Sequence, residues 1–561
     1  MQVKVKKDLD SEFVPCEIEA GWTLEKVYRE KVPRVENNVF IAKVDNKYKE
    51  LTEEIKQSCN IEFLDIKSQA GRLVYQHSLI MIYLKAVEDV MGRTDVRIES
   101  ALGKGLYTEI DSAEEISGDM LSKIENRMWA IHKADIPFIR KKVGADVAAK
   151  MAEEASLLEK KRMVEVLDEG SEFAYYDLDG FYNFFYGYMV PSTGYIDGFS
   201  LRKYNSGVMI LMPDAAGDNF RRRPLDDRKL FAAFSEAKRW HDLLDIAYVW
   251  DLNQMIVDGK EKEIIQLSEA LHEQKIIEIA KAIMEQKKRI ILISGPSSSG
   301  KTTFARRLCV QLRVNGVNPL YMGTDDYFLD RAEMIPDEKG ELDFEAPEAV
   351  DIEKFNKHLN ALLSGKEVDI PRFDFIEGKK IFGERIMKIE KGTLVIEGIH
   401  ALNAKLTPRI DDGEKYKIYI SPLTQLAIDR HNRISTTDSR MLRRLVRDYK
   451  YRGYSAEKTI REWPKVRLGE DKNIFPFNGE ADIFFNSTHI YELCVLKKYA
   501  KPLLENIKRE DDEYAEARRM LDFLRFFKTI KQDDYIGNNS ILREFIGGSI
   551  FVELRDRKSV V

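Results

Sequence analysis

The 561-residue chain has few cysteines and no long apolar run. Its 4 cysteines lie far apart and form no C-x-x-C pair, so neither a disulfide framework nor a cysteine zinc site is indicated. No stretch approaches the ~18 apolar residues that a membrane span needs, and no apolar segment follows the N-terminal lysines. We therefore predict a cytoplasmic protein without a membrane partner.

The chain also lacks an excess of basic charge. It has 89 Lys and Arg against 95 Asp and Glu, which gives a formal net charge of −6 at pH 7. This balance excludes a uniformly basic nucleic-acid-binding protein, and 44% hydrophobic with 33% charged residues is typical of folded proteins. At about 150 residues per domain, the length predicts three or four domains.

Hydrophobic patterning divides the chain into five parts. Residues 1–65 alternate short β-like runs with one helical piece, 66–225 combine amphipathic helices with β-like runs, and 226–288 are typical of a helical connector. Strands and helices alternate over 289–507, which indicates an α/β fold with a parallel sheet. A C-terminal extension, 508–561, completes the chain.

The most informative motif is GPSSSGKTT, which fits G-x-x-x-x-G-K-[ST]. A predicted strand, RIILIS, precedes it and a helical pattern follows, so loop N–H groups and the helix N-terminus can converge on phosphate oxygens. Lys301 would reach the β- and γ-phosphates, and the Thr302 hydroxyl would bind Mg²⁺. The motif predicts a nucleotide site formed by Gly295, Ser297, Ser298, Ser299, Gly300, Lys301, Thr302 and Thr303.

Acidic residues follow two further predicted strands. Asp325 and Asp326 come after NPLYMGT, and Glu397 ends the apolar run TLVIE. In an open parallel sheet these carboxyl ends line the ligand crevice, where a carboxylate can accept an alcohol proton or hold Mg²⁺. From the pattern alone, a turn at Asp325 and Asp326 is an equally good interpretation.

A basic helical segment, STTDSRMLRRLVRDYKYRGYS, lies further along. Arg440, Arg444 and Arg447 are spaced i, i+4 and i+7, which places them on one helix face that could meet a triphosphate. A solvated basic face is the alternative. The phosphate-binding motif upstream favours phosphate binding.

Together these motifs resemble the uridine kinase and phosphoribulokinase family of P-loop kinases over about residues 289–500. The matching strings are GPSSSGKTT, TDDYF, DFEAPEAVD, IPRFDF, VIEGIHAL and RRLVRD, in the family's order. The resemblance implies an ATP- and Mg²⁺-dependent kinase that phosphorylates a hydroxyl of a nucleoside or similar small polyol. The implied roles are charge neutralisation by Lys301, general base for Asp325, Mg²⁺ binding for Thr302, Asp325 and Glu397, and phosphate and lid contacts for Arg444, Arg447 and Arg452.

The acceptor pocket departs from that of the uridine and cytidine kinases. Glu345 stands at the Asp of their F-D-H-P string, Phe373 at a Tyr, and about Gly378 at the His that reads the pyrimidine. Glu345 could still bind a ribose-like polyol, so a kinase of a sugar, sugar phosphate or cyclitol is an alternative. The implied substrate contacts are Tyr327, Glu345, Phe373, Arg444 and Arg447.

The N-terminal half resembles other proteins. Residues 1–65 look like a TGS-type β-grasp domain and 66–225 like the α+β editing-type domain of threonyl-tRNA synthetase, through GRLVYQHSLIM, RIESALGKGLYTEI and YMVPSTGYI. The metal and substrate set of that domain is reduced to His77, with Met81, Phe185 and Met189 at the other positions. Hydrolytic editing is therefore not expected. A nucleotide-switched RNA-binding protein is a second alternative, and we expect a homo-oligomer.

Overall fold

The computed structural model describes residues 1–551 with short gaps. The residues that it does not describe within that range are 7–10, 33–37, 104, 167–171, 214–219, 221–227, 337–341, 375–376, 390–391 and 425. Within the described ranges, every helix is too short or too polar to cross a bilayer.

The first part is a five-stranded sheet with one helix. Its elements are β1 (Gln2–Lys6), β2 (Val14–Glu17), α1 (Leu24–Lys31), β3 (Val39–Val44), β4 (Lys47–Lys49) and β5 (Asn60–Asp65). The strand order is β2-β1-β5-β3-β4, with β1 and β5 parallel and the other neighbours antiparallel. Helix α1 begins after Thr23, whose side chain accepts a hydrogen bond from the Lys26 N–H, and it buries Leu24 and Val27 against the sheet.

The second part combines two antiparallel sheets with four helices. Its elements are α2 (Gln69–Met91), β6 (Val96–Leu102), β7 (Gly105–Ile110), α3 (Gly118–Lys133), β8 (Ile139–Gly144), α4 (Ala145–Glu154), α5 (Leu158–Val166), β9 (Glu172–Leu178), β10 (Phe181–Phe184), β11 (Ser200–Tyr204) and β12 (Gly207–Leu211). The sheets have the orders β11-β12-β7-β6 and β10-β9-β8. Helix α2 is buried over most of its length because it packs between α3 and the strands.

Three helices follow and join the second part to the third. They are α6 (Arg228–Leu244), α7 (Val249–Val257) and α8 (Glu261–Glu285). Ile276, Ile279 and Ile283 of α8 are buried in the same apolar core as the helix that follows the phosphate-binding motif. The connector is therefore packed against the third part rather than standing free of it.

The third part of the fold, residues 289–507, follows the helical connector and contains the predicted parallel sheet. Its elements are β13 (Ile290–Ser294), α9 (Lys301–Val314), β14 (Pro319–Gly323), α10 (Ile352–Leu363), β15 (Val368–Asp369), β16 (Arg372–Asp374), β17 (Lys379–Ile381), β18 (Ile386–Met387), β19 (Thr393–Glu397), β20 (Lys415–Ser421), α11 (Thr436–Tyr451), α12 (Ala456–Asn473), β21 (Ile483–Asn486) and α13 (Glu492–Glu505). The main sheet has the order β14-β19-β13-β20-β21, and all its neighbours are parallel. This confirms the α/β fold class.

The C-terminal segment packs into the core of the third part. Its helices are α14 (Tyr514–Leu524) and α15 (Arg543–Ile546). Leu542, Phe545 and Ile546 are at most 1% exposed and share an apolar cluster with α8, α9, α11 and α13. The segment therefore contributes to the same core as the parallel sheet.

The second part contacts the loop before α11 through buried polar groups. The Lys160 ammonium lies 3.4 Å from Asp429 Oδ1, and these two side chains are 1% and 0% exposed. Asn183 Nδ2 lies 3.0 Å from His431 Nδ1. The two halves of the chain therefore share a desolvated network, whose groups depend on each other for hydrogen bonds.

Candidate active site

The phosphate-binding motif forms a loop between β13 and α9 at the carboxyl edge of the sheet. Gly300 has φ of +84°, which favours glycine, and it is the N-cap of α9. A Cβ added at Gly295 would collide with the carbonyl oxygen of Ile420 on β20. These two glycines let the loop curl closely over the sheet, so that the first N–H groups of α9 remain available to an anion.

Lys301 and Thr302 are the first two residues of α9, and their side chains bind different partners. The Lys301 ammonium donates to the carbonyl oxygen of Pro296, 3.2 Å away, within the loop. The Thr302 hydroxyl donates to Glu397 Oε1 across 3.0 Å, and the Tyr321 hydroxyl donates to the same oxygen across 2.9 Å. The loop and the end of β19 thus meet at one carboxylate.

The pKa of the Glu397 carboxyl is raised. Burial and, after it, the Asp325 charge raise this pKa to about 7, although the Lys301 charge opposes the rise. Such a carboxylate gains from a nearby cation, because a positive charge favours its ionised form. Thr302 and Glu397 together therefore offer the oxygen ligands that Mg²⁺ prefers.

The two acidic residues after β14 have different environments. Asp326 accepts from Arg385 Nη1 at 2.7 Å and from the Phe373 N–H at 3.3 Å, so it is held in a structural ion pair. The Asp325 carboxylate makes no hydrogen bond or ion pair within the described ranges. Of the two, Asp325 is the one free to accept a proton from a substrate.

Three arginines surround one buried carboxylate on α11. Arg447 Nη2 lies 2.7 Å from Asp448 Oδ1, Arg444 Nε lies 3.2 Å from Oδ2, and Arg452 Nε lies 3.7 Å from Oδ1. Burial alone would raise the pKa of Asp448, but the three arginines hold it below its ordinary value. Three positive charges around one negative charge leave a site that favours a polyanion.

Arg440 and Arg443 have structural partners instead. Arg440 forms a buried ion pair with Glu470 and donates to the Ser297 carbonyl oxygen at 3.0 Å. Arg443 Nη2 lies 2.6 Å from Glu492 Oε2. Of the predicted face of Arg440, Arg444 and Arg447, the first two contact Ser297 of the loop. Arg440 is paired with Glu470, so it supports the loop rather than presenting its charge to a phosphate.

Glu345 lies beside the arginines with one oxygen unsatisfied. Arg444 Nη1 is 3.8 Å from Glu345 Oε1, and within the described residues the buried Oε2 has no hydrogen-bond partner. Burial raises the pKa of Glu345 and the Arg444 charge lowers it, and the net result is a pKa of about 7. A Cβ at Gly469 of α12 would collide with Glu345, so this glycine permits the close approach.

Tyr327 and Phe373, both predicted substrate contacts, are packing residues in this structure. The Tyr327 ring is fully buried, and its hydroxyl lies 3.0 Å from His358 Nδ1 of α10. The Phe373 ring is 5% exposed and packs edge-on to Phe328. The acceptor contacts proposed below therefore do not include these two rings.

The residues fit the phosphate compound and the metal that the motif implies. The Ser298 and Ser299 hydroxyls are buried without a partner among the described groups, as expected of donors built to meet a ligand. No cluster of three or more His, Cys, Asp or Glu side chains able to hold a metal occurs in the described part of the chain. Mg²⁺ does not require one, because it is bound by one or two carboxylates together with phosphate oxygens and water.

The three positions grouped with His77 in the sequence carry apolar side chains that are buried in the second part. Met81, Phe185 and Met189 are fully buried in the apolar core, and none supplies an oxygen or nitrogen ligand. Burial lowers the pKa of His77 to about 4, so its imidazole is neutral at pH 7. His77 packs 5.9 Å from the Phe185 ring.

The carboxylates that form ion pairs with the arginines of α11 were not predicted from the sequence. Asp448, Glu470 and Glu492 are fully buried and lie on α11, α12 and α13, respectively. One signal was available for Asp448, because it directly follows Arg447 and is four residues from both Arg444 and Arg452.

The fold and this arrangement define the P-loop kinase type of domain, and the comparisons with known sequences agree. The Phosphoribulokinase / Uridine kinase family profile matches residues 290–493. A uridine kinase of Staphylococcus aureus is 31% identical over 195 residues, which are 35% of this chain and 85% of that protein. The chain belongs to this family through its third part.

The N-terminal part matches a different protein. A threonine–tRNA ligase of Carboxydothermus hydrogenoformans is 31% identical over 169 residues, which are 30% of this chain. The chain spans 27% of the length of that ligase. Among solved structures, a D-glycerate 3-kinase from Cryptococcus neoformans aligns at 14% identity and a TM-score of 0.21, over 47% of this chain and 89% of that one.

Proposed function

We propose that the protein is a kinase that transfers the γ-phosphate of ATP to a hydroxyl of a small acceptor, a nucleoside or a similar polyol, with the help of Mg²⁺. The observation that carries the proposal is the convergence of three features at one sheet edge. These are the phosphate-binding loop at Lys301, the three-arginine cluster around Asp448, and Asp325. Arg444 Nη1 of the cluster donates to Ser297 Oγ of the loop at 2.8 Å, and the Asp325 charge acts on both Glu397 and Arg452. The family assignment of residues 290–493 supports it.

In the proposed reaction, Asp325 accepts the proton of the acceptor hydroxyl as that oxygen attacks the terminal phosphorus, and the bond to the bridging oxygen of the leaving diphosphate breaks. Lys301 and the cluster of Arg444, Arg447 and Arg452 neutralise the charge on the phosphate oxygens. Most of the rate enhancement comes from positioning and from fixed charge, since the protein forms no covalent bond to the phosphoryl group.

Thr302 and Glu397 are the residues that would hold Mg²⁺, and Asp325, whose charge acts on Glu397, would contribute through a water molecule. When bound, the ion would neutralise phosphate charge that the protein's own cations leave uncompensated. The Thr302 to Glu397 hydrogen bond of 3.0 Å keeps both oxygens at one position before any ligand binds.

Glu345 is the proposed contact for the acceptor. Its unsatisfied Oε2 is buried and can accept a hydrogen bond from a hydroxyl, which would remove the cost of an unpaired buried oxygen. This favours an acceptor that presents a hydroxyl to Glu345, as nucleosides, pentoses and cyclitols all can. The second candidate is a kinase of a non-nucleoside polyol, because the hydrogen bond that Glu345 can accept requires a hydroxyl and no base.

The test is ADP release from ATP and Mg²⁺ across a panel of nucleosides, pentoses, sugar phosphates and cyclitols. Lys301→Ala serves as the blank, and Lys405→Ala, which changes a lysine outside the site, is the matched control. Acceptor-stimulated turnover in the wild type and the control, but not in the blank, would support the kinase and identify its acceptor class. Nucleotide binding without turnover on any acceptor would overturn it.

A further inference from the structure

The C-terminal segment reaches the phosphate-binding loop. Ile541 packs so closely against Gly300 that a Cβ added there would collide with its side chain. Two residues on, helix α15 begins, and the Lys450 ammonium of α11 donates to its Ile546 carbonyl oxygen at 2.6 Å. Residues 541–546 are therefore fixed between the loop and the arginine helix.

Glu544 of α15 uses hydrogen-bond donors of the loop. Its Oε2 accepts from the Thr303 backbone N–H at 3.2 Å and from the Thr303 hydroxyl at 2.8 Å. Thr303 is in the first turn of α9, where an N–H has no partner within the helix. In a phosphate-binding loop these first-turn groups are the donors that phosphate oxygens use.

Glu544 also places a negative charge where it acts on Glu397, one of the two proposed Mg²⁺ ligands. Besides burial and the Asp325 charge, the Glu544 charge contributes to the raised pKa of Glu397. A bound polyphosphate would add further negative charge to the same small volume. Carboxylate and phosphate therefore compete both for Thr303 and for the positive end of the α9 dipole.

The surrounding packing limits what has to move. Ile541, Leu542 and Phe545 are fully buried, so releasing the whole segment would expose large apolar side chains. Glu544 is 8% exposed, whereas these apolar neighbours are fully buried. Competition at the loop would therefore involve a rotation of the Glu544 side chain, with the apolar anchors in place.

We propose that Glu544 is an internal competitor of the phosphate donor. Its carboxylate holds the Thr303 donors in the ligand-free protein, and an incoming phosphate displaces it. The affinity for any polyphosphate is then lower than the loop alone would provide, and donor binding moves Glu544. This inference rests on the proposed function for the identity of the ligand as a phosphate compound.

Calorimetric titration with inorganic tripolyphosphate and with ADP tests the proposal on the full chain. The proteins are the wild type, Glu544→Ala, Glu544→Gln and the control Glu505→Gln, which removes a charge from a 51% exposed side chain at the end of α13. We expect Glu544→Ala to bind tripolyphosphate about tenfold more tightly than the wild type, since a charged hydrogen-bonded competitor is gone. Glu544→Gln loses only the charge and should bind more tightly by a smaller factor. The control should match the wild type.

The outcomes separate this proposal from its alternatives. If Glu544 only caps α9, Glu544→Ala will lower the free energy of unfolding and leave both dissociation constants unchanged, which would overturn the proposal alone. If no protein, the wild type included, binds either ligand, the proposed function fails and this inference with it. Glu544→Gln keeps an oxygen acceptor for Thr303, so the comparison survives if Glu544→Ala does not fold.

Discussion

Arg447 Nη2 lies 2.7 Å from the carboxylate of its own neighbour in sequence, Asp448. Adjacent residues on a helix normally point about 100° apart, so this contact requires the long arginine side chain to turn back around the helix. The side chain turns back because Asp448 is buried and also forms ion pairs with Arg444 and Arg452. The carboxylate therefore sets the geometry of all three guanidinium groups.

Replacing this carboxylate should destabilise the protein. We expect Asp448→Asn to lower the free energy of unfolding by about 3–5 kcal/mol, because three buried or half-buried arginines lose their shared partner. Urea denaturation would measure it. Asp471→Asn is the matched control, since Asp471 is 44% exposed and pairs with Arg467 at 3.6 Å. Equal stability of the two variants would contradict a central role for Asp448.

Asp325 and Asp326 should differ in function although they are adjacent. We expect Asp325→Asn to reduce turnover by about 10²–10⁴-fold with little change in the affinity for ATP, because it removes the proposed base and no protein contact. Asp326→Asn breaks the ion pair with Arg385 and should chiefly lower stability. Steady-state kinetics and thermal denaturation of both variants check this, and unchanged turnover of Asp325→Asn would remove it from the base role.

The buried Glu345 makes the stability of the ligand-free protein depend on pH. Its pKa is about 7 in the folded protein against an ordinary value of 4.5, so the folded state binds more protons than the unfolded state between these values. The stabilisation is complete below pH 4.5 and is lost as the pH rises through about 7. We expect the wild type to lose on the order of 3 kcal/mol over this range relative to Glu345→Gln.

Urea denaturation at pH 5.0 and 7.5 measures this difference. The control is Glu353→Gln, which changes an exposed carboxylate on α10 and should retain the pH dependence of the wild type. A Glu345→Gln variant whose stability changes with pH as steeply as that of the wild type would contradict the assignment.

Lys160 should link the unfolding of the two halves of the chain. It donates to Asn183 Oδ1 at 2.7 Å and to the Phe184 carbonyl oxygen at 2.8 Å beside Asp429. We expect Lys160→Met to cost about 3–5 kcal/mol, because Asp429 remains as an uncompensated buried charge. Lys161→Met, at a half-exposed lysine, should cost far less.

Calorimetric scanning of the same two variants gives a second readout. The wild type and Lys161→Met should unfold in one main transition. Lys160→Met should unfold in two transitions, one for the second part and one for the third. A single unchanged transition in Lys160→Met would show that this network does not couple them.

The sequence was sufficient for the features that are continuous along the chain. The strand, loop and helix around Lys301 are one uninterrupted segment, so a motif and its hydrophobic pattern predicted both the parallel sheet and the loop. The structural role of Arg440 could not be predicted in this way, because its partner Glu470 is thirty residues away on another helix. Spacing along α11 placed Arg440 on the right face but contained no information about what lies opposite.

Side-chain direction also could not be obtained from the sequence. Tyr327 and Phe373 occupy the positions that the family resemblance implied, yet their rings fill the apolar core around Phe328 and α10. Glu544 is 241 residues from Thr303 and is in no motif, so only the folded chain brings the two together. Contacts of this kind depend on tertiary packing that local patterns do not encode.

Asp438, in the first turn of α11, accepts from Gln69 of α2 at 2.9 Å and from Arg519 of α14 at 2.7 Å. Two distant stretches of the chain are thus tied to the start of the helix that carries the proposed phosphate-binding arginines. A turn of α11 about its axis, large enough to move Arg447 toward a ligand, would also pull on both of these bonds. The first turn of α11 is therefore held by hydrogen bonds from both the second part of the chain and the C-terminal segment.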